Sequence, residues 1–253
     1  MSRPYLRFAA HGTIGHMART IDLNADLGEG VTDDAGLLDL VTSANVACGY
    51  HAGDEDIMRA VCAGAAERGV AIGAQVSYAD RENFGRVARE VAPDVLQEQV
   101  ADQVATLSRL AEAEGTRVTY LKPHGALYNR VVHDAEQAQA VLAGAGDLPV
   151  LGLPPSVFLR LAKEAGRTIF AEGFPDRGYT PEATLIPRGE PGALVDDPTL
   201  IAERAVQMAI AGEVASVCVH GDSPGAVRNA AAVRRALESA GFVLRAFTGG
   251  GRG

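Results

Sequence analysis

The sequence predicts an α/β protein folded as a (β/α) barrel of seven or eight parallel strands, TIM-barrel-like in architecture. Apolar β-branched runs alternate with amphipathic stretches along the whole chain, the pattern of successive βα units rather than of hairpins. Several of those runs stop abruptly in polar clusters: Ile21 to Asp26, Ala44 to His51, Val118 to Gly125, Ile169 to Glu172, and Cys218 to Asp222. In a parallel barrel all strands open their C-terminal ends on one face, so clusters scattered over the sequence converge on one mouth. The length of 253 residues is about that of one such barrel.

The elements follow in order. The first strand, Ile21 to Asp26, leads into a Leu27-Gly28-Glu29-Gly30 turn, and Asp33 or Asp34 caps a short helix through Leu37, Leu38 and Leu40. A second strand near Ser43 to Ala47 enters a loop in which Gly49 and Gly53 permit a sharp path that presents Tyr50 and His51 to a ligand. Asp54 caps a helix from Glu55 to Arg68, and Gly69 ends it. Val70 to Ala74 is a continuous apolar strand, as expected where both faces of a parallel sheet are covered. The polar loop Gln75 to Arg89 is long enough to suggest function.

Pro93 opens an amphipathic helix with Leu96, Val100, Val104, Leu107 and Ala111 on one face, stopped by Gly115. The fourth strand, Val118 to Lys122, ends at Pro123-His124-Gly125, and helix signals resume at Ala126 and through Ala135 to Ala143. Strand Val150 to Leu153, helix Pro155 to Ala165 and strand Thr168 to Ala171 precede the Pro- and Gly-studded stretch Glu172 to Asp197. Helix Thr199 to Ala211, strand Ser216 to Val219, helix Gly225 to Ala240 and strand Phe242 to Ala246 complete the alternation. Residues 1–19 read as an extension outside the fold, with Met17 an alternative start, and residues 20–253 as one barrel domain.

Composition narrows the function classes. With 47% hydrophobic and 22% charged residues and no long uncharged apolar run, the chain reads as a soluble globular protein without a transmembrane helix. A net charge of -9 argues against a nucleic-acid surface, which needs clustered Lys and Arg. Cys48, Cys62 and Cys218 lack CxxC spacing, and an odd count suggests no disulfide framework, which fits a reducing cytoplasm.

The candidate site residues sit at strand ends. His51, His124 and His220 each follow a strand, where a hydrogen-bonded structural role competes with a functional one. His133, inside a helix, reads as a solvated surface residue. Asp22, Asn24 and Asp26 alternate along one strand face, where a buried carboxylate is costly unless paired or metal-bound. Asp22 and Asn24 are read as functional and Asp26 as structural; a fraying strand end is the competing reading. Lys122 supplies a cation for an anionic group or a polarised carbonyl, against the alternative of a salt bridge to Glu172 or Asp222. Arg177 and Arg188 offer guanidiniums for a carboxylate, against simple surface solvation.

Walker A, a post-strand GxGxxG, HExxH and Gly-x-Ser-x-Gly motifs are all missing. Asp, His and Lys at strand ends instead favour general acid/base hydrolysis, with or without a divalent metal. The expected roles are Asp22 as general base for water, His124 as its partner or the acid for the leaving group, and Lys122 as the stabiliser of developing charge. Asn24, Asn45, Tyr50, His51, Glu172, Arg177, Arg188, His220 and Asp222 make up the expected substrate-binding set. No metal is assigned; if one is present, Asp22, His51 and His124 are its expected ligands.

Six motifs in order, IDLNADLGEG, SANVACGYHAGD, DRENFGR, LKPHGALYN, FPDRGYTPEATLIPRGEPGALVDD and VCVHGDSPGAV, resemble the LamB/YcsF family, that of the 5-oxoprolinase A-type subunit, over Thr20 to Phe247. The resemblance implies a β/α barrel related to the glycoside hydrolase/deacetylase superfamily. It also implies an ATP-dependent opening of 5-oxo-L-proline (pyroglutamate) to L-glutamate with two partner subunits, B and C, the complex using ATP. With no phosphate loop in this chain, phosphorylation is expected to reside in the partners. One departure stands out: where many family members are similar to Gly-Ala-His-Pro-Ser, this chain has Gly73-Ala74-Gln75-Val76-Ser77, an amide in place of an imidazole. Two alternatives remain open, a metal-dependent deacetylase of a sugar or small amide and a non-enzymatic lactam-binding protein.

Overall fold

The computed structural model describes residues 19–31, 33–222 and 225–249. Strands β1 (Arg19–Leu27), β2 (Ser43–Ala47), β3 (Ala71–Val76), β4 (Val118–Pro123), β5 (Val150–Gly152), β6 (Ile169–Gly173) and β7 (Ser216–Val219) pair in parallel, each with its sequence neighbour. β1 pairs with β7 on one side and with β2 on the other, Asn24 facing Ser43, so the ring closes at seven strands. Among the described residues, an eighth strand, β8 (Phe242–Leu244), pairs only with the first three residues of β1, Arg19 to Ile21. β7 takes β1 from Asp22 onward, so β8 lies at the N-terminal end of the barrel instead of completing its wall. The expected extension of residues 1–19 falls outside the described residues except for Arg19, which begins β1.

Helices α1 (Asp34–Leu38), α2 (Glu55–Arg68), α3 (Pro93–Ala113), α4 (Gly125–Arg130), α5 (Ala135–Gly144), α6 (Val157–Glu164), α7 (Pro198–Ala211) and α8 (Ala226–Ser239) surround the barrel. Asp54, Asp134, Ser156 and Asp197 accept hydrogen bonds from amides in the first turns of α2, α5, α6 and α7, satisfying donors that have no intrahelical partner. α3 buries Leu96, Val100, Leu107, Leu110 and Ala111 against the sheet at helical spacing. On the same face Gln103 is fully buried; its Nε2 donates to the Ser77 carbonyl and its Oε1 accepts from the Ser77 amide, pinning the start of the β3–α3 loop. Among the described residues no helix is long and apolar enough to cross a membrane.

Alternation along β1 divides core from interior. Leu23, Ala25 and Leu27 face the helices in the main hydrophobic cluster, while Asp22, Asn24 and Asp26 point the other way, into the barrel. That interior is polar, and its groups satisfy one another. Asn24 Nδ2 donates to Ser216 Oγ at 2.6 Å, Asn45 Nδ2 to Asn24 Oδ1 at 2.7 Å and Asp26 Oδ1 at 2.9 Å, and the Tyr120 hydroxyl to Asn45 Oδ1 at 2.7 Å. Gly73 makes room for this arrangement, since a Cβ there would run into the Tyr120 ring. Buried polar groups paired in this way avoid a penalty of about 1–3 kcal/mol each.

Candidate functional site

Successive strand ends assemble one buried cluster: Glu29 from the turn after β1, His51 after β2, Gln75 near the end of β3 and His124 after β4. Gly28 and Gly30 flank Glu29 with φ of 73° and 74°, a left-handed backbone that folds the carboxylate back over the barrel instead of out to solvent. Glu29 Oε1 lies 3.6 Å from His124 Nε2 and 4.0 Å from His51 Nε2. The two imidazoles stack with centroids 4.2 Å apart, and Phe84 from the β3–α3 loop meets both edge-on at 5.9 and 5.7 Å. Gln75 bridges the pair, its Oε1 3.2 Å from His51 Nε2 and its Nε2 donating to Glu29 Oε1 at 3.1 Å.

The electrostatics of this cluster oppose isolated charge. Burial, reinforced by Asp26 and Asp222, pushes the Glu29 carboxyl well above its usual range. Burial also lowers His51 to about 4, against the pull of the Gln75 hydrogen bond. His124 is pressed well below its ordinary value by burial and then by neighbouring His51. Among the described residues, Glu29 Oε2 and the Nδ1 atoms of both histidines are buried without a hydrogen-bond partner. Ligand atoms of Glu29, His51 and His124 lie within 4.8 Å of one another, a grouping that could hold a metal ion. Two neutral imidazoles and one carboxylate form a donor set suited to a divalent cation, whose charge would compensate the carboxylate. The residues therefore fit a metal, with Glu29 where Asp22 was expected.

His124 also lines a cleft of about 180 Å³ at the C-terminal face, shared with Asp26, Arg86, Lys122, Tyr128, Phe174, Arg177, Arg188 and His220. Lys122 is almost fully buried, with Nζ 3.2 Å from Asp26 Oδ1, 3.1 Å from Glu172 Oε2 and 3.2 Å from Cys218 Sγ. Burial alone would lower its pKa, but Asp26, Cys218 and Glu172 outweigh that and hold it well above normal, so the ammonium stays charged. The salt bridge weighed for Lys122 in the sequence is thus present toward Glu172, with Asp26 as second partner, and it coexists with a place in the cleft wall.

The long segment after β6 closes the cleft. Arg86 pairs with Asp222, which also lies 3.6 Å from Arg188, so one carboxylate ties the β3–α3 loop to the post-β6 segment at the rim. Arg177 does other work: its Nε donates to the Ala193 carbonyl at 3.0 Å and its Nη2 to that of Ile186 at 2.7 Å, bracing the segment. Asp176 Oδ2 accepts from the His220 backbone amide at 3.0 Å and lies 2.9 Å from His220 Nδ1.

The expected site residues separate into groups. Lys122, His124, Arg177, Arg188 and His220 share the cleft wall; Asp222 bridges two of its arginines, Glu172 sits against Lys122, and His51 stacks on His124. Asp22 is not brought to the cleft. It lies in the first half of β1, where Thr42 and Ser43 donate to Oδ1 at 2.6 Å each and Ser216 donates to Oδ2. Burial raises its pKa to about 6, those hydrogen bonds opposing. Asn24 and Asn45 belong to the same interior network, and Asn45 is linked to the cleft through Asp26. Tyr50 turns away from the cleft, its hydroxyl donating to Asp102 on α3 at 3.3 Å. Asp26, read as structural in the sequence, lines the cleft.

Sequence reasoning missed Glu29, Arg86 and Asp176 as site residues. The signal for Glu29 was a lone carboxylate between two glycines immediately after a strand; for Asp176 it was only proximity to Arg177 in an irregular stretch.

The LamB/YcsF family model matches residues 21–250. A protein from Streptomyces avermitilis, named as the A-type subunit of 5-oxoprolinase, is 54% identical over 248 residues, covering 90% of this chain and 99% of its own length. One of the same name from Mycobacterium avium is 50% identical over 249 residues, covering 90% of this chain and 98% of its own. The crystal structure of a lactam utilization protein from Thermus thermophilus superposes with a TM-score of 0.84 at 36% identity, covering 90% of this chain and all of that one. The catalytic domain of a peptidoglycan N-acetylglucosamine deacetylase from Eubacterium rectale shares the fold, with a TM-score of 0.55 at 12% identity and 96% of each chain covered. With the match spanning nearly every described residue of the barrel, the chain belongs to the LamB/YcsF family.

Proposed function

We propose that this chain is the lactam-handling subunit of an ATP-dependent 5-oxoprolinase, opening 5-oxo-L-proline to L-glutamate together with two partner subunits. The relatives that share about half its residues bear that subunit's name, and the observation that carries the reading is Lys122. A buried ammonium, kept charged by two carboxylates and set in the wall of a small cleft with arginines at its rim, suits a small ring with a carbonyl and a carboxylate. Lys122 stabilises charge on the carbonyl oxygen or its phosphoryl adduct, and Arg188 with Arg86 attracts the carboxylate. Glu29, His51 and His124 would hold a divalent cation, which would supply Lewis acidity when bound. That assignment takes His124 out of the proton-transfer role and leaves Asp22 as a structural member of the interior network.

A lactam is a stable amide, and phosphorylating its carbonyl oxygen creates a leaving group; we assign that step to the partner subunits, the complex and not this chain alone consuming ATP. Reconstitution with the two partners and a glutamate assay with and without ATP tests the reading. Glutamate release that requires ATP and all three chains is expected, while robust ATP-dependent release by this chain alone would refute the division of labour. The Glu29–His51–His124 group favours one second reading, a metal-dependent deacetylase. Chelator-sensitive deacetylation of a sugar or small amide without ATP would support it instead. A non-enzymatic lactam binder would bind 5-oxoproline while no assembly released glutamate.

A further inference from the structure

His220 and Lys122 share a platform. The Phe174 ring stacks on the His220 imidazole, centroids 5.3 Å apart, and carries Lys122 Nζ 5.2 Å from its own centroid. Both side chains line the cleft, so a ligand that reaches the ammonium also reaches the imidazole. Asp176 fixes that imidazole twice, through the backbone amide and through Nδ1. It is itself held in place, because its carbonyl accepts the Val195 amide at 2.9 Å and the adjoining Arg177 braces the Ala193 and Ile186 carbonyls. With Nδ1 committed to a carboxylate, Nε2 is the ring nitrogen left for the cleft.

We propose that Asp176 and His220 form a carboxylate–imidazole dyad in which His220 Nε2 delivers the proton to the ring nitrogen as the lactam opens. His220 is then a catalytic residue and Asp176 a positioning residue, and the assignment rests on the lactam reading above. In the step, water oxygen bonds to the carbonyl carbon activated by a nucleoside triphosphate. The carbon–nitrogen bond breaks, its electron pair stays on nitrogen, and that nitrogen takes the Nε2 proton of the imidazolium. The two protons of the attacking water replace those that the imidazolium passes to nitrogen, leaving an amine and an acyl phosphate; a second water splits the acyl phosphate into carboxylate and inorganic phosphate, so the imidazole is unchanged over the turnover. Asp176 holds the ring in register and leaves Nε2 facing the cleft.

His124 is less suited to the task on geometry: it is stacked on His51, covered edge-on by Phe84 and set against Glu29. Asp176 remains a carboxylate because, although burial alone would raise its pKa, the His220 charge and hydrogen bonds outweigh burial and bring it below the usual value. Asp26, Lys122, Arg177 and Arg188 also line the cleft, so a measured pH profile reports His220 in their combined field.

Two measurements test the dyad. In the reconstituted three-subunit complex His220→Gln is expected to lower glutamate release by about a hundredfold or more. His220→Ala should recover part of its activity when free imidazole is added, and Asp176→Asn should shift the pH profile; His133→Ala serves as the unchanged control. Independently, long-range proton–nitrogen NMR of the chain alone should show the neutral His220 tautomer protonated on Nδ1, a state lost in Asp176→Asn. Near-normal turnover in His220→Gln, or a neutral His220 ring protonated on Nε2 instead of Nδ1 in the wild type, would overturn the proposal. If the wild-type complex makes no glutamate, the lactam reading fails and with it the proton transfer, whereas the NMR result still decides whether the dyad exists.

Discussion

His51 and His124 lie face to face, ring centroids 4.2 Å apart with 20° between their planes, and both present Nε2 toward the same oxygen of Glu29. Two imidazoles stacked this closely cannot both carry charge in a buried site, so they are suited to act as neutral donors to a cation. Titration of metal-stripped protein with Zn²⁺ should therefore show about one bound ion per chain. Glu29→Gln and His124→Ala should each weaken binding at least tenfold, the order expected even for the loss of a group that only supports a ligand. Unchanged affinity in both variants would remove the metal assignment.

Lys122 is the charge on which two buried carboxylates depend. Replacing it with Met leaves Asp26 and Glu172 side by side without compensation, and breaking a buried pair in this way costs about 3–5 kcal/mol. Lys122→Met should unfold at markedly lower denaturant, and Lys122→Met/Glu172→Gln should recover part of the loss because one orphaned charge is gone. Equal stability of the single and double variants would show that Glu172 does not depend on the ammonium.

Asp22 gives a prediction with the opposite sign to most carboxylates. Its pKa rises from an ordinary 3.8 to about 6, burial being the main cause, so the fold favours the protonated acid. The stability this contributes is present below 3.8 and is lost as pH rises through about 6, a difference of about 3 kcal/mol. Asn mimics the neutral acid, so the stability of Asp22→Asn relative to wild type should rise between pH 4 and pH 8 by roughly that amount. Chemical denaturation at both pH values checks it. Because Asp22 does not line the cleft, turnover of the reconstituted complex should stay within about tenfold of wild type.

The barrel was legible because its signals are local and repeated: apolar runs, caps such as Asp54 and stops such as Gly69 each act within a few residues. Closure at seven strands was not, since whether Phe242 to Leu244 enters the ring depends on β1 being long enough to pair with β8 first and β7 later. Strand-end placement pointed to Lys122, His124 and His220, which share one cleft wall. It failed for Asp22, because period 2 gives the face of a strand but not the depth, and Asp22 and Asp26 share a face four residues apart. Glu29 escaped for the converse reason: it follows the strand, and only the left-handed glycines on either side return it to the site.

Gln75 offers the sharpest test of how this cluster is tuned. Its amide spans His51 and Glu29, accepting toward one and donating to the other. An amide in that position fixes both neighbours without adding charge or a strong metal donor. Gln75→His would exchange the bridge for a third imidazole in a fully buried position next to two groups already within reach of a cation. Adding a nitrogen donor to a two-histidine, one-carboxylate set completes a four-ligand arrangement of the kind structural zinc sites use, so Zn²⁺ should bind Gln75→His more tightly than wild type. Gln75→Ala, which removes the bridge and supplies no donor, should bind it more weakly because His51 and Glu29 lose their orientation. Calorimetric titration of the three proteins gives the order directly, and wild type binding Zn²⁺ as tightly as Gln75→His would mean that Gln75 lies outside the reach of the ion.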